Sequence, residues 1–185
     1  VLFLQGMGGI GKSELAKGYA KAYSSDYDTV IFAHYEDSIL NMVCSEDIKI
    51  HNFSSNMSYG EEAETAGAYF MRKMDVLQDL MNERCLLIVD NFDTEDDPDL
   101  EKLTNLPCHI LITSRVENWD YPVLPIGPID SFDTLRNLFV KHYGGRIPPK
   151  DLPYVDEMLR LIGGHTITVE LIAKQMMASH VNAKK

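Results

Sequence analysis

Apolar residues along this chain fall into two patterns that alternate. Val1-Leu2-Phe3-Leu4-Gln5 reads as a strand buried on both faces, Asp28–Ala33 as a second strand, and Cys85-Leu86-Leu87-Ile88-Val89-Asp90 and His109–Arg115 as apolar strands ending in polar groups. Between them apolar positions return every third or fourth residue. Leu15, Ala16, Tyr19, Ala20 and Tyr23 predict a helix over Ser13–Tyr23, and Ala63, Ala66, Phe70, Met74, Leu77 and Met81 predict one over Glu61–Asn82. A short helix is expected near Leu100–Leu106. Tyr121–Ile126 reads as a fifth strand, placed at a sheet edge because its prolines cannot donate to a ladder. From His34 to Tyr59 there is no clean period, although Ile48–Phe53 alternates as a short edge strand does.

After Pro128 the pattern is helical only. Ser131 is placed to cap a helix whose face is Phe132, Leu135, Leu138, Phe139 and His142. Leu152–Ile162 is a second helix, stopped by Gly163-Gly164, and His165–His180 a third, with Val169, Ile172, Ala173 and Met176 on one face. Strands alternating with helices, then helices alone, predict an α/β three-layer sandwich around a parallel sheet, residues 1–127, followed by a small helical unit, residues 128–185. The chain begins at Val1, without methionine and directly inside a buried strand, so a piece of a longer protein is expected.

Composition narrows this picture. The 185 residues suffice for one core of ordinary size, and 45% hydrophobic with 24% charged residues is the balance of a soluble globular domain. The formal net charge of -11 argues against a broad nucleic-acid footprint, which needs a basic face. Cys44, Cys85 and Cys108 are widely spaced and form no metal set, and the last two read as small buried or half-buried residues. A reducing, cytoplasmic setting is expected, and neither a bilayer-spanning run nor a leader pattern is present in the sequence.

The chemistry begins at Gly6-Met7-Gly8-Gly9-Ile10-Gly11-Lys12-Ser13, between the first strand and the first helix. A glycine, four residues and Gly-Lys-Ser is P-loop spacing: glycines let successive amides face one anion, and the following helix, with Glu14 in its first turn, points its free N–H groups there. Lys12 is expected to reach the β- and γ-phosphates, and the Ser13 hydroxyl to hold Mg²⁺. Asp90, at the C-terminal edge of a strand, supplies the acid that such a metal requires. Asn91 follows, where many P-loop ATPases carry an acid; an amide orients water but cannot accept its proton. Asp93 could substitute if the loop turned it inward, but is read as a solvated turn carboxylate. Thr113-Ser114-Arg115 ends another strand, where Arg115 can neutralise phosphate charge or instead pair with Glu117 or Asp120.

Gly6–Ser13, Leu86–Asp90 with Asn91, Ile110–Arg115 and Gly163-Gly164-His165-Thr166-Ile167, in this order, resemble the NB-ARC family, the nucleotide switch of STAND proteins. The resemblance covers nearly the whole chain. It implies a five-stranded parallel sheet of the ASCE P-loop NTPase type, with Ile110–Ser114 between the P-loop strand and the Asp90 strand. It makes the helices from Ser131 onward an ARC-like subdomain. It also implies ATP/ADP and Mg²⁺ as cofactors, an ADP-bound resting state, slow hydrolysis, self-association in the ATP state through the full-length protein, and effector and sensor domains outside this stretch. By position, Gly6–Glu14 would hold phosphate, Ser13 and Asp90 the metal, and Thr113 and Arg115 would sense the γ-phosphate. His165 and Thr166 would line the base pocket. Two positions depart from the family: Asn91 replaces its usual second acid, and Thr166 its adenine-packing proline. No membrane partner and no direct nucleic-acid binding are expected. Two other readings stay open, a continuously hydrolysing AAA+-type ATPase and the switch of a STAND transcription regulator; a P-loop kinase lacks an Arg-rich lid here.

Overall fold

A computed structural model describes residues 1–53, 64–117 and 120–179. The chain divides into two compact units, one of Val1–Gln5 with Lys12–Pro125, the other of Gly6–Gly11 with the chain from Ile126 onward.

In the first unit the five strands are β1 (Leu2–Gln5), β2 (Thr29–His34), β3 (Cys85–Asp90), β4 (His109–Ser114) and β5 (Val123–Pro125). They form an all-parallel sheet in the order β2-β3-β4-β1-β5, so β4 lies between β1 and β3 and β5 is an edge. Every residue of β3 is buried, as its unbroken apolar run requires. The pleat sends Phe3, Leu87, Val89, Ile110 and Ile112 to one face, where they meet Phe70, Met74 and Leu77 of helix α3 (Ala66–Leu80) and Ile39, Met42 and Val43 of α2 (Ile39–Cys44). Leu103 of α4 (Leu100–Thr104) joins the same cluster. Helix α1 (Lys12–Ala22) packs against β3 and β4.

Three expectations are corrected in this unit. Ile48–Phe53 forms no strand; Ile48 is 1% exposed and tethers a turn to the core, while the preceding apolar run coils into α2 under a Ser38 cap. The helix expected from Glu61 begins at Ala66, capped by Thr65, whose hydroxyl accepts from the Ala68 N–H. Ala63 of that expectation lies outside the described residues. On α1 only Ala16 of the apolar set is fully buried; Leu15 (46% exposed) and Tyr19 (39%) flank a groove of about 360 Å³ over Leu4, Leu86 and Leu111.

In the second unit α5 (Phe132–Tyr143), α6 (Leu152–Ile162) and α7 (Thr166–Ser179) enclose Leu135, Phe139, Val155, Leu159, Val169 and Ala173. Ser131 caps α5 by accepting from Thr134 N–H, and an Arg136–Asp156 ion pair ties α5 to α6. Gly163 ends α6 in the left-handed region. Gly164 also has φ +83° and packs so closely on Ile129 that a Cβ would lie 2.5 Å from its carbonyl oxygen. His180, expected at the end of the last helix, is outside the described residues. Among the described residues no helix is long and apolar enough to cross a membrane.

Candidate functional site

Parallel pairing aligns the C-terminal ends of β2, β3 and β4, and the chemistry of the first unit collects there. Ser13, in the first turn of α1, donates its hydroxyl to Asp90 Oδ1 at 2.6 Å. Thr113, from β4, donates to the same oxygen at 2.7 Å. Asp90 is only 9% exposed, so the two hydroxyls offset much of the cost of burying its charge. Its second oxygen lies 3.9 Å from His34 Nδ1, at the end of β2 in register with Asp90. Sequence reasoning missed His34: a single histidine ending a strand carries no local signal, and only the register shows its neighbour.

Lys12 is 8% exposed. Burial holds its ammonium below the usual lysine value; Asp93 pulls it back up, Arg115 pushes it down, and Asp90 raises it again. These are the charges an incoming phosphate would meet.

The loop after β3 is set by Phe92. Its ring is fully buried, edge-on to Tyr35 at 4.7 Å and to Phe3 at 6.3 Å. With Phe92 turned into the core, Asn91 and Asp93 turn the other way, toward the strand ends. Asn91 adopts φ +67°, a region its amide side chain tolerates, and its N–H donates to Thr113 Oγ1 at 2.9 Å. Asp93 is therefore not the solvated carboxylate expected from sequence. Its Oδ1 accepts the Arg115 N–H at 2.7 Å and its Oδ2 lies 3.0 Å from Arg115 Nε. Arg115 pairs with Asp93 rather than with Glu117 or Asp120, and its Nη2 also donates to Asn91 Oδ1 at 3.4 Å. The buried phenylalanine between two polar residues was the sequence signal that could have found this.

Glu14 turns outward, 80% exposed at its side chain, and pairs with Lys17 at 3.1 Å. That leaves its backbone, not its carboxylate, as what it can offer an anion.

In the second unit, Gly6–Gly11 meets the start of α7. Gly9 has φ +72°, and a Cβ there would lie 2.5 Å from Ile167 Cγ2, so the loop admits only glycine at this approach. The Gly9 carbonyl accepts the Thr166 hydroxyl at 2.6 Å and the Ile167 N–H at 3.1 Å. The Gly8 carbonyl is 3.1 Å from His165 Nε2; a carbonyl only accepts, so Nε2 donates and, on the neutral ring, Nδ1 accepts from Thr168 Oγ1 at 3.1 Å. Ile10 is buried, its N–H directed to the Met7 carbonyl at 3.4 Å, whereas Met7 is exposed. His165 and Thr166, expected at the base pocket, here grip the carbonyl side of the loop.

The donor set fits Mg²⁺. One carboxylate and one hydroxyl, both hard oxygens, stand 2.6 Å apart, and that ion uses one or two carboxylates with phosphate and water oxygens. Among the described residues no group of three or more His, Cys, Asp or Glu side chains forms a metal cage. The cysteines are free, with Cys85 buried and Cys44 and Cys108 half-buried.

No family model matches the chain, and no curated protein matches it. It is similar to a solved structure described as Drosophila ORC bound to DNA, with a TM-score of 0.54 and 17% identity over 96% of this chain. It spans about half of that one, 55%. The likeness shows the fold, that of a P-loop NTPase-like α/β domain.

Proposed function

We propose that the chain is the nucleotide switch of an NB-ARC-type STAND protein, binding ADP or ATP with Mg²⁺ and hydrolysing ATP slowly. The observation that carries this is the contact of Ser13 with Asp90, braced by Thr113: the P-loop hydroxyl and the strand-end acid, distant in sequence, are already paired as a magnesium site requires. When bound, Mg²⁺ would neutralise phosphate charge. Ser13 and Asp90 hold it, the amides of Gly6–Gly11 and the Lys12 ammonium take the phosphates, and Arg115 answers to the γ-phosphate.

Slow turnover follows from a missing carboxylate. Asn91, where many P-loop ATPases carry an acid, cannot take a proton from the attacking water. This favours a switch over a continuously hydrolysing motor. We read residues 1–127 as the nucleotide-binding domain and 128–185 as the ARC-like helical subdomain. Self-association in the ATP state, effector and sensor domains elsewhere, and a cytoplasmic setting belong to the same proposal.

Calorimetric titration with ADP and ATP, with and without Mg²⁺, tests it. Both nucleotides should bind, and removal of Mg²⁺ should weaken ATP more than ADP. No binding of either nucleotide refutes the reading; equal losses refute the metal roles of Ser13 and Asp90.

A further inference from the structure

Arg115 is the residue best placed to tell ATP from ADP, yet in this structure it is already engaged. Its Nε lies 3.0 Å from Asp93 Oδ2, its Nη2 donates to Asn91, and its own N–H donates to Asp93 Oδ1. The two partners are unequally held. Asp93 is 24% exposed at its side chain and follows Phe92, which is locked in the core, while the Arg115 side chain is 59% exposed. The carboxylate is the fixed member, and the guanidinium is the one free to swing.

Bidentate guanidinium–phosphate pairs are charge-assisted and short, and a phosphate offers more acceptors than Asp93 gives Arg115. An exposed ion pair, by contrast, is easily exchanged.

We propose that Asp93 is a specificity-determining residue that competes with the γ-phosphate for Arg115. With ADP the guanidinium stays on Asp93. With ATP it must leave Asp93 for the γ-phosphate, so the strength of the Asp93 contact sets how far ATP is favoured over ADP. The Asn91 contact, 3.4 Å from Nη2, holds the same guanidinium and adds to the same threshold. This inference rests on the nucleotide-switch reading above.

The test is a double-mutant cycle on the intact protein, titrated calorimetrically with ADP and with ATPγS in Mg²⁺. Asp93→Asn keeps the shape and the acceptor for the Arg115 N–H but removes the competing charge. It should raise the ATPγS-to-ADP affinity ratio by about fivefold, the upper range for an exposed pair. Asp93→Glu, which keeps the charge, should hold the ratio near wild type, a rescue that a merely structural role would not give. In an Arg115→Gln background, Asp93→Asn should leave the ratio unmoved. A ratio unchanged by Asp93→Asn, or changed equally without Arg115, overturns the exchange while the switch reading survives. If wild-type protein binds neither nucleotide, both readings fall together.

Discussion

The Thr113 hydroxyl donates to Asp90 Oδ1 at 2.7 Å and accepts the Asn91 N–H at 2.9 Å, so one side chain on β4 fixes both the acid and the residue after it. Thr113 is 1% exposed, which shields both bonds from solvent. Thr113→Val keeps the volume and strands a buried N–H and part of a buried carboxylate. The expected loss is about 1–3 kcal/mol of unfolding free energy. A nucleotide affinity that no longer depends on Mg²⁺ should accompany it, because Asp90 loses its brace. Thr113→Ser, which keeps the hydroxyl, should restore both. Urea unfolding and calorimetry check the pair, and a valine variant with full stability and full Mg²⁺ dependence would refute the bridging role.

Asn91→Asp asks whether a missing proton acceptor limits turnover. Aspartate tolerates the observed φ of +67° as asparagine does, so the backbone need not move. A general base contributes about 10²–10⁴-fold in favourable geometry. The new carboxylate would also attract Arg115, so a rise at the low end, about tenfold to a hundredfold, is expected in steady-state phosphate release. A rate no higher than wild type would mean that another step is limiting.

What the sequence made legible was decided by how locally each signal is encoded. β3 and α6 match their expected bounds because five consecutive apolar residues closed by Asp90, or 11 residues of helical spacing stopped by a glycine, leave no alternative. The α2 stretch is too short to display a period, and the alternation of Ile48–Phe53 mimicked a strand although it came from Ile48, and in part Ile50, being drawn onto the core from a turn. On α1, spacing could not reveal that Leu15 and Tyr19 border a groove instead of filling a core. Gly6–Ser13 and Asp90 stood out through a local spacing and a strand-end position, and the structure brings Ser13 to Asp90. The direction of Asp93 did not stand out, because it depends on where Phe92 packs, and His34 depends on strand register alone.

Thr166 offers a test of the loop from the α7 side. Its hydroxyl donates to the Gly9 carbonyl at 2.6 Å, beside the Ile167 N–H that donates to the same oxygen at 3.1 Å. Thr166→Val removes one of two donors and leaves the other, so the loop should loosen without collapsing. ADP affinity should fall about threefold to tenfold, the worth of one ordinary hydrogen bond. Thr166→Ser should recover it. If Thr166 instead contacted the base directly, the valine variant would change the preference for adenine over guanine nucleotides, which competition binding with GDP reads separately.

Cys108 predicts a pH dependence whose sign can be worked out. Burial, reinforced by Cys85 nearby, raises its thiol from the usual 9.0 to about 11. Below pH 9 both folded and unfolded chains keep the proton, and the residue contributes no pH slope. Between about pH 9 and 11 the unfolded chain releases it while the folded chain holds it. Unfolding is then favoured, and stability falls as pH rises through that window. Tyr27 and Tyr35, both raised to about 12, by burial and by their bonds to Tyr19 and Asp97 respectively, extend the same trend to higher pH. Cys108→Ala should therefore flatten the decline in urea midpoint between pH 9 and 10 and leave the steeper fall above it. An identical decline in wild type and variant would mean that the half-buried thiol ionises as freely in the folded chain as in the unfolded one.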